Sequence, residues 1–188
     1  RPPGHHAETS KAMGFCFVNN IAVTAKYLQN KYKVNKIAIV DFDVHHGNGT
    51  QEIFYNDETV LYASSHEFPL FPGTGSEQET GVGNIFNAPL KTGMKGKEFL
   101  KIFDKKILKP LDMFKPEIIL ISAGFDAHTR DPLANINLES EDFYLITKQI
   151  VDLANIHSKG RVISFLEGGY DLQALSESIK HHLLALKS

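Results

Sequence analysis

The chain is poor in several things, and each shortage excludes something. It holds one cysteine, Cys16, among 188 residues, so no internal disulfide framework can form and a reducing compartment is expected. No apolar stretch reaches the roughly 20 residues that a membrane-spanning helix needs, and no signal-like segment opens the chain. Neither sign of charge dominates: 20 Lys and Arg stand against 22 Asp and Glu, with no basic run of the kind that nucleic-acid binding uses. The opening RPPGHHA carries no initiating Met, so further residues of a longer protein are expected upstream. Cytoplasm is then the default location, with the nucleus left open.

What is present points to one core. A hydrophobic content of 42% over this length suffices for one globular domain over residues 1–188. Apolar runs that read as strands alternate with stretches of helical spacing. A helix is expected over about residues 15 to 32, strands at about 36 to 42 and 59 to 65, and a short helix around GTQEIFY between them. A Gly- and Pro-rich loop over about 66 to 84 is long enough to be functional. A short strand in IFNAPL, a helix over about 96 to 114 and the buried strand PEIILISAG follow. The helix in ESEDFYLITKQIVDLANIHS, the strand RVISFLE and a closing helix from about 172 to 187 complete the series. Strands joined through helices imply an α/β fold with three αβα layers and a mainly parallel sheet.

Such sheets bind ligands beyond the carboxyl ends of their strands. The polar clusters DFDVHHG, SSH, GFDAH and EGGYD each follow a strand. Asp41, Asp43 and His45 stand at i, i+2 and i+4, so in an extended segment all three leave one face. Their convergence implies a divalent cation, because a metal cancels carboxylate repulsion and accepts an imidazole lone pair; the alternative is that the Asp residues cap the next helix. Carboxylates and imidazole without thiolates fit catalytic zinc, or ferrous iron, better than a structural site. Asp126, at another strand end, is a further candidate ligand, although a lone Asp there also reads as a helix N-cap.

His5 and His6 can carry protons if Asp41 and Asn48 fix their tautomers, or can be an ordinary loop pair. Tyr170, after Gly168 and Gly169, can donate to an oxyanion or simply fill a core. Cys16 reads as a packed residue. His157, His181 and His182 lack motif context and are expected to be solvated helix residues.

RPPGHHA, GFCFVNN, DFDVHHGNGTQ, FPGTG, SAGFDAH and LEGGYDL, in that order, resemble the zinc-dependent histone deacetylase family, which includes acetylpolyamine amidohydrolases. RPPGHHA and Asn48 look like the class II and bacterial branch, since class I members carry Asp at the position of Asn48. The resemblance implies an arginase/deacetylase-like fold of which this chain is a fragment, lacking upstream and downstream parts. It implies zinc held by Asp43, His45 and Asp126. His5 would pair with Asp41, while His6, oriented by Asn48, would be the general base. Tyr170 would polarise the amide carbonyl. Phe15 and Phe71, with Gly14 and Gly169, would line a substrate tunnel, and Asp41 and Ser64 would help hold a structural potassium ion. His46 and His66 receive supporting positions only.

The implied reaction is hydrolysis of the acetyl amide of acetyl-lysine. An acetylated polyamine or other small amide as substrate, and an idle scaffold that binds acetylated partners, are the competing readings. An arginase-like binuclear manganese site would need metal carboxylates where the chain has His46 and Gly47.

Overall fold

Five apolar runs form the strands β1 (Ile37–Asp41), β2 (Val60–Glu67), β3 (Ile85–Leu90), β4 (Ile118–Ala123) and β5 (Val162–Leu166). The computed structural model describes residues 2–188, so Arg1, the first residue of RPPGHHA, lies outside them. The strands make one sheet in the order β3-β2-β1-β4-β5, and every pairing is parallel. The inner strands β1, β2 and β4 are buried along their whole length. A strand covered on both faces has no polar position to spare, which is why these runs do not alternate.

The two faces are covered by different helices. Ile37, Ile39, Val60, Tyr62 and Leu120 pack with α1 (Asn20–Tyr32) and with Phe54 of α2 (Asn48–Phe54). Ala38, Val40, Leu61, Ala63 and Ile121 face the other way, into a larger core with residues of α3 (Gly96–Phe103), α4 (Lys109–Phe114) and α5 (Ser140–His157). The last helix, α6 (Leu172–Leu186), packs chiefly on α5. None of these helices is long and apolar enough to cross a membrane.

Two helices depart from the expected spans. Helix α1 begins at Asn20, because Gly14 and Phe15 take positive φ values of 57° and 65° and Asn19 caps the first turn by accepting from Ala22 N–H (3.0 Å). FCFVN therefore becomes a turn that presents Phe15 at 69% exposure. The expected helix over 96 to 114 is interrupted between α3 and α4 by a wide π-helical turn, Asp104–Leu108. It ends two residues before Pro110, which has no N–H to donate and whose ring crowds the carbonyl four residues earlier.

One histidine expected in solvent is in the core. His182 is 3% exposed. Its ring bonds Thr147 of α5 and Ser164 of β5 and lies edge-on to Phe42 and Phe125. Helical periodicity turns it inward, whereas its neighbour His181 stays partly exposed. His157 is half-buried and pairs with Asp112 (2.7 Å).

Candidate active site

The parallel register carries Asp41, Ser64 and Ser122 to matching positions at one end of the sheet. There β1 ends at Asp41 and the chain turns. Asp41 Oδ1 accepts from Asp43 N–H (3.1 Å) and Asp43 Oδ1 from His45 N–H (2.9 Å). These are successive Asx turns rather than an extended segment. The three side chains consequently do not share a face, contrary to the period-two reading. Asp41 turns to His5 and Tyr62, while Asp43 and His45 turn to Asp126.

Asp43, His45 and Asp126 offer ligand atoms that all lie within 4.8 Å of one another. Among the described residues this is the one group of its kind. His45 Nδ1 is 3.2 Å from Asp43 Oδ1 and 3.1 Å from Asp126 Oδ2, so the imidazole nitrogen points between two buried carboxylates. Burial alone would lower the His45 pKa, but hydrogen bonds to Asp126 and Asp43 carry it up to about 10. Burial and the Asp43 charge push Asp126 up to about 6. Such a site calls for positive charge, and two hard oxygens with one imidazole and no thiolate fit a divalent metal ion. Three protein donors also leave positions for other ligands.

The backbone holds this group in place. Gly168 N–H donates to Asp43 Oδ2 (2.8 Å) and Val44 N–H to Asp126 Oδ1 (3.0 Å). Two glycines allow the close approach: a Cβ on Gly124 would stand 2.1 Å from Asp43 Oδ2, and one on Gly168 2.1 Å from Asp126 Oδ2.

Beside the metal group sit His5 and His6, both buried, with ring centroids 4.1 Å apart. His5 Nδ1 bonds Asp41 Oδ2 (2.9 Å), which also accepts from the Tyr62 hydroxyl (2.9 Å). Burial would lower the His5 pKa, but Asp41 and Asp43 outweigh it and hold the ring well above the usual imidazole range. His6 Nδ1 bonds Asn48 Oδ1 (2.8 Å). Burial, reinforced by His5, pushes His6 down to about 3, so it stays neutral.

A cavity of about 520 Å³ opens over these groups, lined by His6, Gly14, Phe15, His45, Leu70, Phe71, Leu133 and Tyr170. Its wall is mostly apolar, with the His6 and His45 rings and the Tyr170 side chain as its polar members. Phe71 packs edge-on to His6 and Phe15 edge-on to Tyr170. Gly169 is buried near Leu175 and Phe125 and is not among the residues that line the cavity. Ser64, beside Asp41 in the register, bonds His66 (2.9 Å). His46 and His66 lie apart from the metal group, with His46 bonded to Thr74 and Gln51. Cys16 is buried, and burial pushes its thiol up to about 11.

Several residues around the site escape sequence reasoning. Glu167, 1% exposed, accepts from Gly4 N–H (2.6 Å), His5 N–H (3.2 Å) and the Ser122 hydroxyl (2.9 Å). Asp131 accepts from the backbone N–H of Tyr170 (2.7 Å) and of Leu133 (3.0 Å), two residues of the cavity wall. Glu8 contacts Asn48. Glu167 opens the EGGYD cluster and so carried a signal. Tyr62 lay hidden in an apolar strand, and Leu70, Leu133, Asp131 and Glu8 carried none.

Known proteins resemble this chain in sequence and fold. Rice histone deacetylase 10, chloroplastic (Oryza sativa subsp. japonica), is 44% identical over 183 residues, 95% of this chain and 41% of its own length. A probable deacetylase of Archaeoglobus fulgidus is 42% identical over 177 residues, 92% of this chain and 49% of its own. Human histone deacetylase 9 is 47% identical over 193 residues, 95% of this chain and 18% of its own. The crystal structure of the HDA15 HD domain superposes with a TM-score of 0.93 at 39% identity, covering all of this chain and 54% of that one. The chain thus spans about half or less of these relatives. A histone deacetylase domain is matched over residues 1–186, and the chain belongs to that family.

Proposed function

We propose that this chain carries the catalytic centre of a zinc-dependent deacetylase that hydrolyses the acetyl amide of acetyl-lysine side chains to a free amine and acetate. The observation that supports this most is the single cavity wall on which a metal-group imidazole (His45), a neutral histidine (His6) and a tyrosine (Tyr170) meet aromatic and aliphatic side chains. An apolar sleeve suits the uncharged aliphatic stem of an acylated lysine and disfavours the free ammonium, so the product leaves more readily than the substrate.

Asp43, His45 and Asp126 would hold the zinc. When bound it would polarise the acetyl carbonyl and acidify the attacking water. His6 takes the proton of that water at Nε2, since its Nδ1 is engaged with Asn48. The same nitrogen then returns the proton to the leaving amine as the C–N bond breaks. The Tyr170 hydroxyl donates to the carbonyl oxygen as negative charge develops there. His5, held by Asp41 under the electrostatic influence of Asp43, stabilises the charge of the pocket floor and does not leave it. Asp41 and Ser64 are proposed to contribute to a potassium site that fixes this floor. The partner is an acetylated protein or acetylated amine.

The deciding experiment is hydrolysis of a fluorogenic acetyl-lysine peptide by the zinc-loaded protein, with and without chelator, beside His6→Ala and Tyr170→Phe. Chelator-sensitive turnover that both substitutions abolish is expected. Turnover of acetylated polyamines but not of the peptide would move the substrate class. Absence of both would overturn the reading in favour of a binding scaffold.

A further inference from the structure

A histidine can accept a proton from the cavity only if its inward nitrogen is unprotonated, so for His6 the ring proton must sit on Nδ1. The Nδ1 partner is Asn48 Oδ1, at 2.8 Å. An amide does not enforce this by itself, because its oxygen and its NH2 group have nearly the same shape. With the Asn48 amide turned over, the NH2 group would donate to Nδ1. The ring proton would then sit on Nε2, and the base would be disabled.

The surroundings of Asn48 Nδ2 remove this ambiguity. It lies 2.7 Å from Glu8 Oε1, 3.2 Å from Met13 Sδ and 3.5 Å from the His6 carbonyl oxygen. All three are acceptors. The thioether is weak and the carbonyl is at the limit of bonding distance, which leaves the Glu8 carboxylate as the strong, charge-assisted partner. Turning the amide would set Asn48 Oδ1 against that carboxylate, acceptor against acceptor. Glu8 is itself steadied by its own N–H donating to Lys11 O (3.0 Å).

We infer that Glu8 is a positioning residue: through the orientation of the Asn48 amide it holds His6 in the Nδ1–H tautomer, with Nε2 free toward the cavity. The catalytic part of this inference rests on the function proposed above; the tautomer part does not. A carboxylate one hydrogen bond beyond the amide thereby supplies the direction that a neutral Asn lacks.

Long-range 15N NMR of the histidine rings in the zinc-loaded protein reads the tautomer directly, and peptide hydrolysis is followed in parallel. Wild type is expected to show His6 as Nδ1–H. Glu8→Gln can present either its oxygen or its NH2 group to Asn48, so it should populate both His6 tautomers, with a fall in kcat smaller than that of Glu8→Lys. Glu8→Lys presents a donor to the amide, so the amide should turn, His6 should become Nε2–H, and kcat should fall at least tenfold with KM within twofold. Adding Asn48→Asp to Glu8→Lys should restore Nδ1–H, because a carboxylate accepts in either orientation; a folding defect would not be repaired this way. An Nδ1–H tautomer persisting in Glu8→Lys would overturn the inference. So would a switched tautomer with unchanged kcat. If wild type turns over no acetylated substrate, the proposed function fails, and the Glu8 assignment is still decided by the NMR arm.

Discussion

His182 gives the fold a titratable weak point outside the metal group. Thr147 Oγ1 donates to the Phe143 carbonyl (2.7 Å), so it must accept from His182 Nδ1–H (2.7 Å), and Nε2 then accepts from the Ser164 hydroxyl (2.9 Å). The neutral ring is fully satisfied. Protonation adds a charge beside Phe42 and Phe125, and burial pushes the pKa down to about 4. The unfolded chain titrates near the ordinary value of about 6.5. The folded pKa is the lower one, so the full stability is present above about pH 6.5 and is lost as pH falls toward 4. Linkage over that window gives a loss of about 2 kcal/mol at pH 5 and about 3 kcal/mol at pH 4 from this residue.

The assay is urea unfolding followed by circular dichroism at several pH values, for wild type and His182→Gln, with chelator present so that metal release enters neither curve. Glutamine can bond Thr147 and Ser164 but does not titrate. The variant should be less stable at pH 7, and the gap should narrow by about 2 kcal/mol by pH 5. His46 and His66, also held low by burial, contribute equally to both proteins and cancel. Parallel stability curves from pH 7 to pH 4 would refute the reasoning.

The layering was legible because it depends on local pattern. Short, Ile- and Val-rich apolar runs such as KIAIV and EIILISA read as strands covered on both faces, and in a parallel sheet the polar residues after them fall on one rim. What depends on a partner far along the chain was not legible. The carboxylates of Glu167 and Asp131 hold amides 162 and 39 residues away, and no spacing rule encodes such a meeting. The single face expected for Asp41, Asp43 and His45 failed for a related reason: alternation holds only while the backbone stays extended, and the Asp43 N–H donated to Asp41 ends the strand there. His182 failed in the opposite direction, since its helical phase pointed inward but its residue type pointed outward. The motifs flagged the residues of the site more completely than periodicity did, because chemistry constrains residue type where packing constrains only size.

Three further perturbations separate the supports of the cavity. Asp131→Ala leaves the amides of Tyr170 and Leu133 without their acceptor; a stability loss of roughly 1–3 kcal/mol and a fall in kcat larger than any rise in KM are expected, and unchanged kinetics would refute the role. Glu167→Ala should raise hydrogen exchange at the Gly4 and His5 amides well above wild type, whereas Glu167→Gln, which keeps an acceptor, should leave it nearly unchanged; equal exchange in the two variants would refute it. Gly168→Ala tests the metal group. The new Cβ would stand 2.1 Å from Asp126 Oδ2 and 2.7 Å from Asp43 Oδ2, and neither carboxylate is free to retreat, since Asp126 is tied to Val44 N–H and Asp43 to the Gly168 N–H itself. One ligand oxygen must therefore leave its position or the 168–170 turn must open. Either way metal affinity, measured with zinc as the probe by competition with a chromogenic chelator, should fall about 10- to 100-fold. Wild-type affinity in a folded Gly168→Ala protein would mean that these carboxylates do not hold the metal together.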